Sequence, residues 1–512
     1  MTPDTTYFAA DGGVLTSIEN AINNAFEPIT EAVSDVVFYS FDIGGASVPL
    51  VVLWLVVGAI VFTCTFKLLQ VRGIKHAIEL VRGKHDDPDA PGEVSHFRAL
   101  TAAVSGTVGL GNIAGVAVAV TLGGPGATLW MILAGLLGMA SKFTECTLGV
   151  KYRDVHADGT VSGGPMKYLT KGLAERGLPR LGKGMAFVYA IIIIFFGISG
   201  GNMFQANQTY AQVRDVTGGA DGFLGSDAAK FGFGLAVAVL IGLVIIGGMK
   251  SISAVTAKLV PSMAIVYISA CLVVIAVNVD KVPSAFSAIF EGAFSPSGVT
   301  GGVIGVMIIG IQRAAFSNEA GLGSAAIAHS AVKTRHPVTE GFVAMLEPFI
   351  DTVVICTATA LTIVIANTPS WQEQRQVVAD TGELPAGGVT LTSDAFATVL
   401  PWFPYVLTVA VALFALSTAI TWAYYGSQAW MSLFGRSTIA KHSFNVIFCV
   451  FTVVGTVLSL GSVLDFADAA LFALAFVNII GLYILLPVVR KELRDYMAMR
   501  RQRADAELES TR

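Results

Sequence analysis

The sequence predicts an all-α polytopic membrane protein of eleven transmembrane helices. One extra N-terminal helix precedes a five-plus-five inverted repeat with two discontinuous helices, one opening each half. Three observations predict this. Of 512 residues, 54% are hydrophobic and only 13% charged, about half the charge usual in a soluble domain. Lys and Arg collect in alternate loops. A Gly-Leu-Gly motif recurs 212 residues later in a span of opposite direction.

A spanning helix needs about 20 mainly apolar residues. Such stretches lie at 48–67, 98–121, 124–150, 184–206, 231–249, 255–279, 300–329, 340–366, 401–433, 442–460 and 466–489. With the N-terminus outside, the inner segments hold 26 of the 32 Lys and Arg. The outer ones hold only Arg214, Lys230, Lys281 and Arg375, while Lys142 and Arg313 fall within spans. Positive residues favour the cytoplasmic side, and one span more or fewer would scramble the bias. The reading is a multi-pass plasma-membrane protein with its N-terminus outside and its C-terminus in the cytoplasm.

Residues 1–47 contain no Lys or Arg and so lack the basic start of a secretory signal. Val14, Leu15, Ile18, Ile22, Phe26, Ile29, Val33 and Val37 recur every three or four residues. That period is an amphipathic helix, lying on the membrane surface or on the protein itself. Residues 48–97 form the extra transmembrane helix and a cytoplasmic loop. The two five-helix repeats are 98–299 and 300–490, and 491–512 is a basic cytoplasmic tail. Orientation and anionic membrane lipid explain the tail. Nothing near it would read bases, so no nucleic acid is expected, nor is an obligate protein partner. The cysteines at 64, 146, 271, 356 and 449 lie in apolar runs without a CxxC and read as small core residues. The seven histidines, mostly on the inner face, form no metal-ligand cluster.

"SGTVGLGNIAGVA" at 105–117 carries four glycines inside an apolar run, although glycine costs about 1 kcal/mol against alanine in a helix interior. Its "VGLGNIA" (108–114) aligns with "AGLGSAA" (320–326), and five spans separate the two starts. Five is odd, so the copies run in opposite directions. Glycines let the backbone leave the helix, and in lipid the freed groups need protein, water, ion or substrate as partners. Half-helix N-termini suit a carboxylate and freed carbonyls suit a cation. A matched, opposed pair of broken helices points to the central site of a secondary transporter. Close packing through Gly111 and Gly115 is the simpler reading of one segment alone.

"FRALTAAVSGTVGLGNIAGVA" (97–117), "GGPMKYL" (163–169), "GNMFQANQ" (201–208) and "FSNEAGLGSAAIAH" (316–329) occur in that order. Together they resemble the alanine or glycine:cation symporter family, the sodium:alanine symporters, from about 97 to 490. The resemblance implies a LeuT-like inverted-repeat fold, cotransport of alanine or glycine with Na⁺, and a bacterial inner membrane. Where many members carry an aromatic in the second motif, this chain has Lys167. That loop is expected in the cytoplasm, away from substrate.

Several residues suit that chemistry. The amide of Asn112 both donates and accepts, so it can hold a substrate group while Gly109 and Gly111 expose backbone. An interhelical hydrogen bond is its alternative. Gln205 lies deeper in the fourth span than Gln208 and is the better substrate candidate. Phe316 offers a small apolar wall, unless it is ordinary core. Ser417, Thr418, Thr421 and Trp422 cluster at helical spacing. The resemblance places their helix across the sodium site from the first broken helix. The Val108 carbonyl with the Ser417, Thr418 and Thr421 hydroxyls are hard ligands for Na⁺, Thr418 also reaches substrate, and Trp422 caps the pocket. For any single hydroxyl, bonding back to its own helix is the alternative. Arg313 and Glu319 are intramembrane charges and so functional candidates. Arg313 is expected to pair with Glu347 or Asp351, and Lys142 with Glu145 as a snorkelling or gating pair.

Na⁺ as coupling ion, with no other cofactor, and a small neutral amino acid as substrate follow from this reading. The same-class rival is H⁺ coupling through Glu319. A membrane-embedded enzyme would need a nucleophile–base or metal constellation within the spans, and the sequence offers none. A channel would not need tightly interrupted inverted repeats. No Walker motif suggests ATP as the energy source.

Overall fold

The computed structural model describes residues 27–28, 30–43, 46–295, 302–381, 388–457 and 460–510. Among them, eight helices are long and apolar enough to cross a membrane, and a further span is a helix pair bent by 62°. The shorter apolar helices Leu50–Thr65 and Gly302–Asn318 occupy the remaining expected segments.

In chain order the bundle begins with α1 (Leu50–Thr65). Next come α2 (His96–Thr107) and α3 (Ala114–Leu122), separated by one 3₁₀ turn at Leu110–Asn112. Then follow α4 (Ala127–Lys151), α5 (Pro179–Val216), α6 (Asp227–Ile245) and α7 (Gly248–Val277). The second half has α8 (Gly302–Asn318), α9 (Ala325–His329), α10 (Pro337–Ala366), α11 (Phe403–Phe434), α12 (Thr438–Val457) and α13 (Leu460–Ser510).

Two groups of helices pack together. Helix α4 lies against α8 and α10, while α5 lies against α11 and α6 against α12. Helices α4, α5 and α6 thus each touch the helix five spans later. Helix α7 bridges α2 and α11, α13 lies along α5, and α1 rests on α4. Small residues permit the tightest approach: a Cβ on Gly138 of α4 would stand 2.8 Å from Ala320 Cβ at the second helix break. Two turns are π-helical, Ser199–Met203 within α5 and Phe349–Cys356 within α10. Such widened turns are frequent at functional sites.

The structure departs from the sequence reading at several edges. Most of the N-terminal amphipathic pattern falls outside the described residues. Its described end, Val33 and Val37, packs against the protein core. Beyond it an antiparallel hairpin pairs Ser40–Ile43 with Ala46–Pro49, where the helical period gave no hint of strands. The basic tail is no separate segment, because α13 continues through Ser510. Between α10 and α11 stand helices Pro369–Thr381 and Gly388–Ala397, the second packed on α3, α10 and α11. Cys64 is exposed rather than core, since it faces outward from α1.

On the Lys/Arg-rich face one side chain ties two loops together. The Arg153 guanidinium donates to the carbonyls of Pro91, Ser330, Val332 and Thr334 at 2.5–2.9 Å. Val94 and Val332 form a parallel bridge beside it. Hydrogen bonds from a charged group are worth about 1.5–3 kcal/mol each, less where water replaces them. Arg153→Ala should therefore destabilise the protein by about 2–4 kcal/mol. Arg153→Lys, lacking the planar fork, should recover only part of this. Thermal unfolding of the purified protein measures both; unchanged midpoints would show that the loops hold without the latch.

Candidate functional site

The first break forms at Gly109. The last regular bond of α2 runs from Val108 N–H to the Val104 carbonyl at 2.7 Å. In an unbroken helix Gly109 N–H would donate to Ser105. It donates instead to Asn112 Oδ1 at 2.9 Å. The carbonyl of Ser105 is thereby released, as is that of Gly106, which Leu110 would otherwise use.

Helix α11 collects these carbonyls. Thr418 Oγ1 donates to Ser105 O at 3.0 Å and lies 3.5 Å from Val108 O. Trp422 Nε1 donates to Gly106 O at 3.1 Å. Thr421 Oγ1 reaches Ala102 O at 3.2 Å and Ser105 Oγ at 3.1 Å. Ser105 Oγ in turn donates to Ser417 O at 2.8 Å, and Ser417 Oγ donates to Phe414 O at 2.9 Å. The expected hydroxyl cluster and the expected carbonyl thus meet in one buried, oxygen-rich seam. Trp422 is fully buried against Phe196 and Tyr425. Its indole occupies the π turn of α5, where a Cβ on Gly201 would fall 2.4 Å from it.

Two further elements converge on the same turn. A Cβ on Gly109 would lie 2.7 Å from Thr418 Oγ1 and 3.5 Å from Gln205 Oε1. Gln205 Nε2 donates to Gly200 O across the π turn at 3.1 Å. Its Oε1 is buried and has no hydrogen-bond partner. A Cβ on Gly111 would touch the Phe316 ring at 3.4 Å. Gly109, Gly111, Gln205, Phe316 and Thr418 are therefore neighbours.

Asn112 itself is heavily committed. Besides accepting from Gly109, its Nδ2 donates to Asp351 Oδ1 at 2.6 Å and lies 3.3 Å from Cys356 Sγ. Asp351 Oδ2 also accepts from Ser317 at 2.8 Å and Thr352 at 2.7 Å. The π turn of α10 brings Asp351 and Cys356 to the same amide. This network joins both broken helices to α10, and the sequence reading assigned none of it to Cys356, Ser317 or Thr352.

At the second break, Glu319, Gly321 and Gly323 all have positive φ. Protein side chains take its backbone groups. Asn318 Oδ1 accepts from Ala320 N–H at 3.0 Å, and Glu145 Oε2 from Gly323 N–H at 3.0 Å. Asn478 donates to Gly321 O at 2.8 Å and Tyr189 to Leu322 O at 2.8 Å. Glu319 accepts from Ser324. Arg313 pairs with Asp468 at 2.9 Å, not with Glu347 or Asp351 as expected. Helix α13 passes beside α8 and supplies the carboxylate. Glu347 instead meets Lys142 at 3.1 Å and His329 at 3.6 Å. Lys142 also faces Glu145 at 3.7 Å and is fully buried, so it does not snorkel. Glu340 joins His329 to His96. A line of buried charge thus runs from the start of α2 to the second break.

Proteins of known family and fold resemble this chain. The profile of the sodium:alanine symporter family matches residues 32–510. The sodium/alanine symporter AgcS of Methanococcus maripaludis is 38% identical over 457 residues, covering 89% of this chain and 96% of its own. The amino-acid carrier protein AlsT of Bacillus subtilis is 33% identical over 454 residues, 87% and 88% of the two chains. The crystal structure of MhsT in complex with L-phenylalanine matches with a TM-score of 0.53 at 18% identity, covering 79% of this chain and 99% of that one. The chain belongs to the sodium:alanine symporter family and has a LeuT-like fold. It is a multi-pass membrane transporter, not an enzyme.

The Asn112–Asp351 contact should behave as a coupled unit. Asn112→Ala leaves a buried acceptor short of its donor, a cost of about 1–3 kcal/mol. Asp351→Ala leaves the amide unpaired in turn. The double variant should therefore be more stable than the two losses added together, by at least about 1 kcal/mol. A double-mutant cycle in thermal unfolding reads this, and strict additivity would remove the contact from the account.

Proposed function

We propose that this family member imports a small neutral amino acid, alanine or glycine, together with Na⁺ by alternating access. The observation that carries the reading is Gln205 Oε1, a buried acceptor without a partner beside the turn at Gly109. A substrate ammonium is a donor of the right kind to fill it. The first N–H groups of a half-helix lack intrahelical acceptors, so Leu110 and Gly111 would take the substrate carboxylate. Phe316 would line the side-chain end. Trp422 would close the pocket from α11, and Asn112 would act by holding the break open.

The cation would sit in the seam between α2 and α11. The carbonyls of Ser105, Val108 and Phe414 and the hydroxyls of Ser417 and Thr418 supply hard oxygens without net charge. Thr421 would orient Ser105. One Na⁺ falling through about 100 mV releases about 2.3 kcal/mol, and a tenfold gradient adds about 1.4 kcal/mol. One ion per substrate would then support roughly several-hundredfold accumulation without ATP. The Lys/Arg-rich face would be cytoplasmic. A cavity of about 480 Å³ opens there between Glu93, Lys250, Tyr424 and Arg436, and substrate released on that side would enter it.

Glu319 supports a second reading, proton coupling, because it is a buried carboxylate in left-handed backbone at the second break. Counterflow in proteoliposomes with labelled alanine, glycine and leucine, with and without Na⁺, separates the two. Exchange of alanine and glycine that requires Na⁺ is expected. Uptake that survives without Na⁺ and collapses with a protonophore would favour Glu319. Thr418→Val with Ser417→Ala should raise the Na⁺ concentration for half-maximal uptake about tenfold or more, a loss of about 1.4 kcal/mol. Gln205→Leu should instead raise the substrate requirement. An unchanged Na⁺ dependence in the first variant would move the ion elsewhere.

A further inference from the structure

A cluster far from the transport site carries a different chemistry. His76 and Glu79 lie three residues apart on one face of the helix Ile74–Val81, on the Lys/Arg-rich side. The chain leaves that helix at Arg82 and turns back at Gly83, whose φ is +77°. The turn returns His85 to the same face, with its ring 5.5 Å from that of His76. Glu79 Oε2 stands 3.7 Å from His76 Nδ1 and 3.8 Å from His85 Nε2. One donor atom from each of the three residues lies within 4.8 Å of the others.

We infer that His76 Nδ1, Glu79 Oε2 and His85 Nε2 form a binding site for one divalent transition-metal ion of the zinc class. Two imidazoles and one carboxylate are an established zinc donor set, with bonds of about 2.0–2.1 Å. Tetrahedral bonds of that length put neighbouring donors about 3.3 Å apart, so around an ion each imidazole would close on Glu79 by about half an ångström and the two imidazoles on each other by up to about 1.5 Å. Water would take the fourth position.

A second observation points to a ligand independently of the spacing. His76 is 5% exposed, and its Nδ1 is buried without a hydrogen-bond partner. A buried polar atom left unpaired is costly, and a metal ion would satisfy it. The other ring nitrogen, Nε2, bonds Tyr496 OH on α13 at 2.8 Å. A proton on Nε2 turned toward that oxygen leaves the Nδ1 lone pair facing Glu79 and His85. A hydrogen bond on the far nitrogen is what fixes a metal-binding imidazole in tautomer and orientation. Lys84 approaches the other carboxylate oxygen, Oε1, at 3.5 Å, so Oε2 stays directed at the two rings. The expectation that no histidines cluster thus fails, because five residues separate Glu79 from His85 and the helix ends between them. An ion there would fasten the loop after α1 to the terminal helix through Tyr496.

The test uses the full, untagged protein in detergent after metal stripping. Co²⁺ titration reads the visible absorption bands of a tetrahedral site, and calorimetry reads Zn²⁺. One ion per chain is expected, binding tighter than about 10 μM. Glu79→Gln and His85→Ala, both at accessible positions, should each weaken Zn²⁺ binding at least tenfold. His442→Ala, at a distant histidine, should leave it unchanged. Absence of binding at about 10 μM, or equal binding in both site variants and wild type, would overturn the site.

Discussion

The first helix break, where the proposed transport site lies, depends on one hydrogen bond, from Gly109 N–H to the side chain of Asn112. A membrane helix cannot simply leave its backbone groups unpaired. By accepting the Gly109 proton, Asn112 replaces the Ser105 carbonyl as its partner and sets that carbonyl free. Everything at the first break follows from the exchange. Thr418 and Trp422 can address α2 through its backbone, and Asp351 can fix the amide that made this possible. The four-glycine stretch is therefore less a weakness in a helix than a place where one side chain has taken over a backbone bond.

The two breaks share a motif but are finished differently. At the first, neutral hydroxyls and an indole meet the freed carbonyls, and Gln205 keeps an acceptor unused. At the second, Glu145, Asn478, Asn318 and Tyr189 take the backbone groups with side chains from the surrounding helices. At both breaks protein side chains take freed backbone groups, and each keeps one side-chain oxygen without a hydrogen-bond partner, neutral Gln205 Oε1 at the first and anionic Glu145 Oε1 at the second. The repeated Gly-Leu-Gly marks both places, but the neighbours differ, a neutral amide at one and carboxylates at the other.

That division explains what the sequence could and could not reveal. Span positions and the two glycine breaks were legible, because hydropathy, charge bias and motif spacing carry them, whereas the grouping of Gly109, Gln205, Phe316 and Thr418 also needed the family resemblance. The partners of buried charges were not. Arg313 meets Asp468 from a helix 155 residues away, and Lys142 reaches Glu347 across 205 residues, distances that no local pattern encodes. Asn112 was recognisable as important, yet its commitment to Asp351 required the π turn of α10, which has no simple sequence signature. The hairpin at 40–49 was hidden by a helical period running into it, and the His76–His85 proximity by a turn at Gly83.

The distribution of charge also constrains how such a molecule can move. His96, Glu340, His329, Glu347, Lys142 and Glu145 tie α2, α10, α9 and α4 together in a buried line. Separating one such pair would leave a buried charge uncompensated, at about 3–5 kcal/mol. Ion pairs of that cost favour these helices staying together in any rearrangement. The boundary with α11 is different, because Thr418, Thr421, Trp422 and Ser105 hold it by neutral hydrogen bonds worth about 1 kcal/mol net each. Rearrangement along that seam would cost less than separating the charged line. A cation in the seam would exchange those modest bonds for coordination by the same oxygens and so bind the moving body to its neighbour. On this argument a coupling ion in the seam would act by strengthening a boundary held otherwise by neutral hydrogen bonds, next to the turn that would hold the substrate.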